Sequence, residues 1–535
     1  MNDSPRRFDV AVIGSGAGGL TAALTVARRG YSVVLLEAAQ QFGGYLNPFA
    51  RKKFVFDTGV HYVGEGFEGG SLQRIYRSLE LDVKFNELNP DGFDWYVFPG
   101  YQIKLGKGIE RFCQRLKDDF PHETSAIDRF FALLKEVEAA FRTVGRVRDL
   151  RSGWEAAKHL PALLRWRNAT FAELLDHYFD DKLLKCALSG PCGDLGLPPG
   201  RISALYHIGL LLHYLKGAFY PRGGSGSIRD AYVEALQAKG ALLKRNTAVE
   251  SLLHSHGRVN GVRTQSGETF LANVVISNAE AVATFKMADL HSHNRRIARR
   301  IRRIEPSYGS FMVFLGLKAN LSNNPIQDAN VWHYDDRDID RLYARVENGE
   351  LPSGEMMFIT IPTLKDPQGN KAPSGHHIVE IVTLVAAQPF ARWFGQRTMK
   401  RDQDYNDLKR RIADPLIERA ALYVPELRSE EIVVRESSTP ATNSHYIHNR
   451  SGAIYGPAHT PNQVFFRRFA PTTPLEGLLL CGSSVLGAGV APCTHSGYVA
   501  GKLADHYLQR RATLRGRAIT DLRVAARRLR QQLPW

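Results

Sequence analysis

The residues with the clearest chemistry lie near the N-terminus. Val10-Ala11-Val12-Ile13 is short, apolar and β-branched, and it runs straight into Gly14-Ser15-Gly16-Ala17-Gly18-Gly19, after which Leu20, Ala23, Leu24 and Ala27 recur at helical spacing. The tight turn needs Gly14, close approach of a pyrophosphate to the backbone needs Gly16, and packing of the helix on the strand needs Gly19. The free N–H groups at the helix start, around Ala17 and Gly18, then hold phosphate oxygens. A second run, Ser32-Val33-Val34-Leu35-Leu36, ends in Glu37, whose carboxylate suits the two hydroxyls of an adenosine ribose and disfavours a 2′-phosphate. Strand, glycines, helix, strand and acid in this order predict a dinucleotide site. A second glycine pair, Gly43-Gly44, and the segment Phe56-Asp57-Thr58-Gly59-Val60-His61-Tyr62 follow, elements for which a plain nicotinamide domain has no need.

With those elements the sequence resembles the flavin-dependent family of phytoene desaturases, carotenoid isomerases and retinol saturases, and more distantly the amine oxidases. The resemblance continues along the chain in Tyr220-Pro221-Arg222-Gly223-Gly224-Ser225-Gly226, in the strand around Val249, in Val274-Val275-Ile276-Ser277-Asn278-Ala279, and in Leu480-Cys481-Gly482-Ser483 followed by Gly487-Ala488-Gly489-Val490. It implies FAD as cofactor. Gly43, Gly44, Asp57 and Gly59 would line its flavin side, Val249 would meet the adenine, and Asn278, Gly482, Ser483 and Val490 would complete the site. Two departures separate the chain from amine oxidases: Tyr45 stands where arginine usually follows the glycine pair, and Ser483 stands where Gly-Asp is usual. Asp57-Thr58-Gly59-Val60-His61-Tyr62 and Gly452-Ala453-Ile454-Tyr455-Gly456 instead resemble the saturase and isomerase branch.

That branch implies hydride exchange between flavin N5 and a C=C bond of a polyene or isoprenoid lipid. His61 is the first candidate for proton transfer, because imidazole titrates nearest neutrality; Tyr62 and Tyr220 come after it. A flavin amine oxidase, and a non-catalytic lipid-binding protein similar to the GDP-dissociation inhibitors and escort proteins, are the competing expectations. No second GxGxxG stands behind an apolar strand, so electrons are expected from or to a quinone, oxygen or a redox protein, unless the reaction is redox-neutral.

The elements that must position these residues form an α/β fold. It has a discontinuous Rossmann-like lobe of the amine oxidase and phytoene desaturase type, from about residues 1–100, 220–290 and 470–510. Residues 101–219 and 291–469 would form a substrate lobe with a mixed sheet and helices, and 511–535 a basic amphipathic tail. Arg111 to Phe120, Ile127 to Arg142 and Ile202 to Leu215 carry helical periodicity, whereas Ser310 to Leu315 and His377 to Val382 read as strands.

The 535 residues are 44% hydrophobic and 23% charged, a composition that excludes a disordered or fibrous chain. Cys113, Cys186, Cys192, Cys481 and Cys493 form no CxxC pair, so no metal site or disulfide framework is expected and a cytoplasmic setting fits. The net charge of +16 points to an acidic partner. Isoleucines 297, 301 and 304 alternate with paired arginines between Arg295 and Arg303; the tail from Arg515 to Trp535 and the stretch from Arg146 to Arg167 are also basic. Such helices suit an anionic membrane surface, and no aromatic-basic motif favours nucleic acid. Ser4-Pro5-Arg6-Arg7 has the look of an export signal but runs into the first strand, and no apolar run reaches the roughly 18 residues of a membrane span. A peripheral position suits a lipid substrate that must be collected from a bilayer.

Overall fold

The computed structural model describes residues 6–144, 160–397, 400–428 and 430–532, with side chains up to residue 513. The basic stretch from Arg146 to Trp154 and the side chains of the basic tail lie outside it.

The apolar start of the chain becomes the strand Arg6–Ile13, flanked on both sides by parallel partners, Val33–Leu36 and Thr269–Ser277. A central parallel strand is covered on both faces, which is why its last four residues are continuously apolar and buried. Val10 and Val12 pack with Leu20, Leu24, Ala500 and Ala504 from two helices. Ala11 and Ile13 face the other way, into a cluster with Leu252, Val262 and Phe270. The sheet order is Val249–Ser255, Arg258–Thr264, Thr269–Ser277, Arg6–Ile13, Val33–Leu36 and Leu242–Lys244. Leu478–Leu480 adds in parallel beside the end of Thr269–Ser277. The helix Ala17–Ala27 lies against the long helix Val490–Gln532. Gly497 makes this approach possible, since a Cβ there would lie 2.1 Å from the Gly18 carbonyl oxygen.

A second seven-stranded sheet runs Ile432–Ser438, Gly309–Leu317, His377–Val385, Met356–Thr360, Asn330–Tyr334, Asp94–Phe98 and Tyr101–Leu105. Its pairs are antiparallel except Asn330–Tyr334 with Asp94–Phe98. The expected lobe boundary at residue 100 is therefore corrected: a hairpin turning at Pro99-Gly100 places Asp94–Phe98 in the second sheet. One face of this sheet packs on the helix Gln403–Ala420 through Val313, Ile381 and Leu416. The other carries Tyr96, Tyr334, Phe358 and Leu384 toward the helices Ile109–Asp119, Thr124–Val144 and Ala204–Tyr214.

The basic helix Arg295–Arg302 also differs from expectation. Its isoleucine stripe turns inward: Ile297, Ile301 and Ile304 pack with Phe285, Phe469 and Leu480. The protein core uses that apolar face, leaving only the arginines for a partner. Among the described residues, no helix is long and apolar enough to cross a membrane.

Candidate functional site

At the sheet's C-terminal edge Gly14 turns the chain with φ +83°, and the first helix starts after Gly16 with no side chain capping its N–H groups. A Cβ on Gly19 would sit 1.9 Å from the Gly14 carbonyl oxygen, so the helix packs directly on the turn. Uncapped N–H groups beside a cavity fit the phosphates of a dinucleotide. Around them stands Asn278, whose side-chain amide lies 2.9 Å from a Cβ on Gly16, 2.5 Å from one on Gly18 and 2.5 Å from one on Gly482.

Glu37 ends the second strand as expected and splints the loops together. Its Oε2 accepts the Ser15 N–H at 2.8 Å and the Ser15 hydroxyl, and its Oε1 accepts the Ala39 N–H at 2.8 Å. Ser15 Oγ in turn accepts the Gly43 N–H at 2.9 Å, joining both glycine loops. Across the cleft the buried Arg468 donates to the Ser483 carbonyl at 2.9 and 2.7 Å, an anchor not singled out as a site residue.

From this edge a continuous cavity of about 860 Å³ runs to the second sheet. Gly14, Gly16, Ala17, Gly18, Glu37, Gly43, Gly44, Gly59, His61, Tyr62, Val249, Asn278, Ser483 and Val490 line it. Gly19, Asp57, Tyr220 and Gly482 stand behind its wall. The far end is apolar, walled by Trp332, Met356, Phe358, Leu384 and Ile454.

Polar groups gather at the junction of the two ends. His61 Nδ1 lies 3.0 Å from Glu380 Oε2, and the other Glu380 oxygen accepts the Asp57 N–H at 2.9 Å. Glu380 is fully buried on strand His377–Val385, so it fixes both residues against the second sheet. The Tyr62 hydroxyl lies within hydrogen-bond distance of both Asp94 and Asp194. Burial pushes the Asp94 carboxyl up to about 6, although Asn330 and Tyr62 hydrogen-bond to it, and burial raises Asp194 well above the usual carboxylate range. Lys365 donates to the His61 carbonyl at 2.8 Å and to Asn330, and burial lowers its ammonium to about 7. None of Asp94, Asp194, Asn330, Lys365 or Glu380 belongs to a local motif.

Asp57 and Tyr220 meet elsewhere. The Asp57 carboxylate accepts Lys371 Nζ at 2.5 Å, the Tyr220 hydroxyl, and Ser225 through its N–H at 3.1 Å and its hydroxyl at 2.7 Å. Burial alone would raise this carboxyl, but the Lys371 ammonium and these donors bring it below its ordinary value. Both groups are spent on one another, so the structure gives Tyr220 a bracing place behind the wall.

Residues 12–79 match the family model of an NAD(P)-binding Rossmann-like domain. The chain is 29% identical to all-trans-retinol 13,14-reductase of Macaca fascicularis, covering 99% of this chain and 89% of that protein. It is 28% identical to prolycopene isomerase 1 of an Oncidium hybrid cultivar, covering 92% and 83%. An oxidoreductase from Methanosarcina mazei shares the fold with TM-score 0.63 at 16% identity, over 92% of this chain and 99% of that one. Fold and site together define a dinucleotide-binding protein built on a Rossmann-like domain. Over nearly its whole length the chain is similar to all-trans-retinol 13,14-reductases and prolycopene isomerases.

Proposed function

We propose that the protein is an FAD-dependent oxidoreductase acting on a C=C bond of a polyene or isoprenoid lipid. One observation carries this reading: the same cavity joins an uncapped helix N-terminus and two glycine loops to an apolar, aromatic chamber. Gly16, Ala17 and Gly18 would hold the pyrophosphate, Val249 and Glu37 the adenosine end, and Gly43, Gly44, Gly59, Ser483 and Val490 the flavin end. Bound there, the flavin would exchange hydride at N5 with an olefinic or allylic carbon. The chain's own part is to seat the polyene beside Trp332 and Phe358 and to exclude water from it. His61, the first candidate for proton transfer in the sequence, lies on the cavity wall with its Nδ1 on Glu380.

The test begins with the visible spectrum. The purified protein is expected to be yellow, and anaerobic re-oxidation of its dithionite-reduced flavin by all-trans-retinol or a carotenoid would establish a C=C reductase. A flavin left reduced while the polyene spectrum shifts marks isomerisation. A colourless protein that FAD does not reconstitute would overturn the enzyme reading in favour of a lipid-binding protein.

A water-insoluble substrate also calls for contact with a bilayer, since each CH₂ moved into water costs about 0.8 kcal/mol. Tyr446 and Phe465 line the cavity yet are exposed, next to Phe466 at 96% exposure. Arg467 adjoins them, and Arg300 donates to its carbonyl at 2.8 Å, so the apolar mouth has a basic rim. This surface, rather than the inward-facing isoleucines, is the proposed contact with anionic lipid. Phe466→Asp is expected to weaken binding to phosphatidylserine vesicles about tenfold in a sedimentation assay, because one aromatic side chain loses its burial in lipid. Unchanged binding would remove this surface from the reading.

A further inference from the structure

Tyr62 has one hydroxyl proton and three carboxylate oxygens to satisfy. Its Oη lies 3.0 Å from Asp94 Oδ2 and 2.9 and 3.0 Å from the two oxygens of Asp194. If both carboxyls were ionised, one of these contacts would press a lone pair on a lone pair, so one carboxyl must carry a proton of its own. The surroundings say which. Asp94 Oδ1 accepts the Asn330 side-chain N–H at 2.8 Å, and its Oδ2 faces the Tyr96 hydroxyl at 3.3 Å. Behind Asn330, the ammonium of Lys365 balances its charge. Asp194 has Tyr62 as its one hydrogen-bond partner among the described residues. Ionised, it would lie half-buried against aromatic rings with a single donor; protonated, it donates to Tyr62 Oη, which donates in turn to Asp94. Burial raises both carboxyls, but Asp94 has Asn330, Tyr62 and Tyr96 as donors that favour its charge, whereas Asp194 has Tyr62. Asp194 also lines the cavity, whereas Asp94 does not.

We propose that Asp194 is a catalytic acid, a neutral carboxyl that delivers its proton from the cavity wall to one carbon of the polyene C=C bond. This rests on the polyene reading above. In saturation the π pair would form the new C–H bond with the Asp194 proton, and the neighbouring carbon would take a hydride, the chemistry a reduced flavin would supply when bound. One proton and one hydride thus account for the two hydrogens gained. Asp194 is left as a carboxylate, which the Tyr62 hydroxyl meets by turning its proton from Asp94 to Asp194. Water restores the missing proton when product leaves. Tyr62 and Asp94 act through Asp194 and are positioning residues.

Asp194→Asn keeps size and shape but removes the acid. In the FAD-loaded enzyme, re-oxidation of reduced flavin by the polyene is expected to slow about 100-fold, with the flavin spectrum unchanged and Asp194→Glu regaining part of the rate. In D₂O the wild-type product should carry one solvent deuterium on the reduced bond. Infrared spectra read the proton without substrate: the C=O stretch of a protonated carboxyl, present in the wild type at pH 7, should vanish in Asp194→Asn and persist in Asp94→Asn. A wild-type rate in Asp194→Asn, with His61→Gln inactive, would overturn the proposal in favour of His61. A carboxyl band that survives Asp194→Asn and is lost in Asp94→Asn would overturn it by placing the proton on the other acid. A flavin left reduced while the polyene spectrum shifts would overturn the saturation step assigned to Asp194, whereas a reduced wild-type flavin that no polyene re-oxidises, with the polyene spectrum unchanged, would overturn the substrate reading itself, a failure distinct from the others.

Discussion

Gly19→Ala is expected to yield little or no folded protein, and Gly16→Ala a folded protein that purifies without FAD. The two glycines sit three residues apart in one motif but face different constraints. A Cβ at position 19 would lie 1.9 Å from the Gly14 carbonyl oxygen and 3.0 Å from its carbon, backbone atoms held by the central strand. The helix would have to lift off the sheet, at a cost of about 3 kcal/mol or more. At position 16 the backbone is extended, with φ −62° and ψ 174°, which alanine adopts freely. The nearest atom to the new Cβ is the Asn278 side-chain nitrogen at 2.9 Å, the end of a side chain that can turn aside. What remains is a methyl group in the wall where a pyrophosphate must come close. Thermal melts and the ratio of flavin to protein absorbance separate the outcomes. A Gly16→Ala protein that purifies fully yellow would sink the cofactor assignment, and a Gly19→Ala protein of wild-type stability would sink the packing argument.

The second large effect concerns the buried pair of Lys371 and Asp57. Lys371→Met is expected to destabilise the protein by about 3–5 kcal/mol, the usual consequence of leaving one member of a buried ion pair uncompensated. Asp57 is fully buried, and without the ammonium its charge has, among the described residues, the Tyr220 and Ser225 donors. The double variant Lys371→Met/Asp57→Asn should recover much of the loss. The pH dependence should also change sign. In the wild type the Asp57 pKa is lowered on folding, so its contribution is present above the unfolded value and is lost as pH falls through the folded one. In Lys371→Met burial without a cation raises the folded pKa, so stability is greatest in acid and falls as pH rises through it. Urea midpoints measured from pH 4 to pH 8 read both slopes, and parallel profiles would show that the pair is not coupled in this way.

Asp57 and Tyr220 are visible in the sequence as motif residues, but their arrangement is not. Lys371 lies 314 residues from Asp57 in the chain, in a segment with no motif of its own. The inward isoleucines between Arg295 and Arg303 teach the complementary lesson. Their spacing predicts an amphipathic helix, and one forms over Arg295–Arg302, but periodicity does not say what the apolar face meets. Here Phe285, Phe469 and Leu480 from three other segments claim it.

The sequence by itself determined the parts governed by near neighbours: the strand, glycine turn and helix at the N-terminus, Glu37 at the end of the next strand, and the order of later segments resembling a flavin site. These follow from backbone sterics and from side-chain period within a few tens of residues. Only the tertiary structure decided that Asp94 and Asp194 share the hydroxyl of Tyr62, that Glu380 holds His61, and that Lys371 neutralises Asp57. Tyr62 and Asp194 stand 132 positions apart, and His61 and Glu380 319. Such groups are brought together when two sheets and a helical layer bury their apolar faces around one cavity. Exclusion of water then makes each polar group depend on whichever partner the packing delivers.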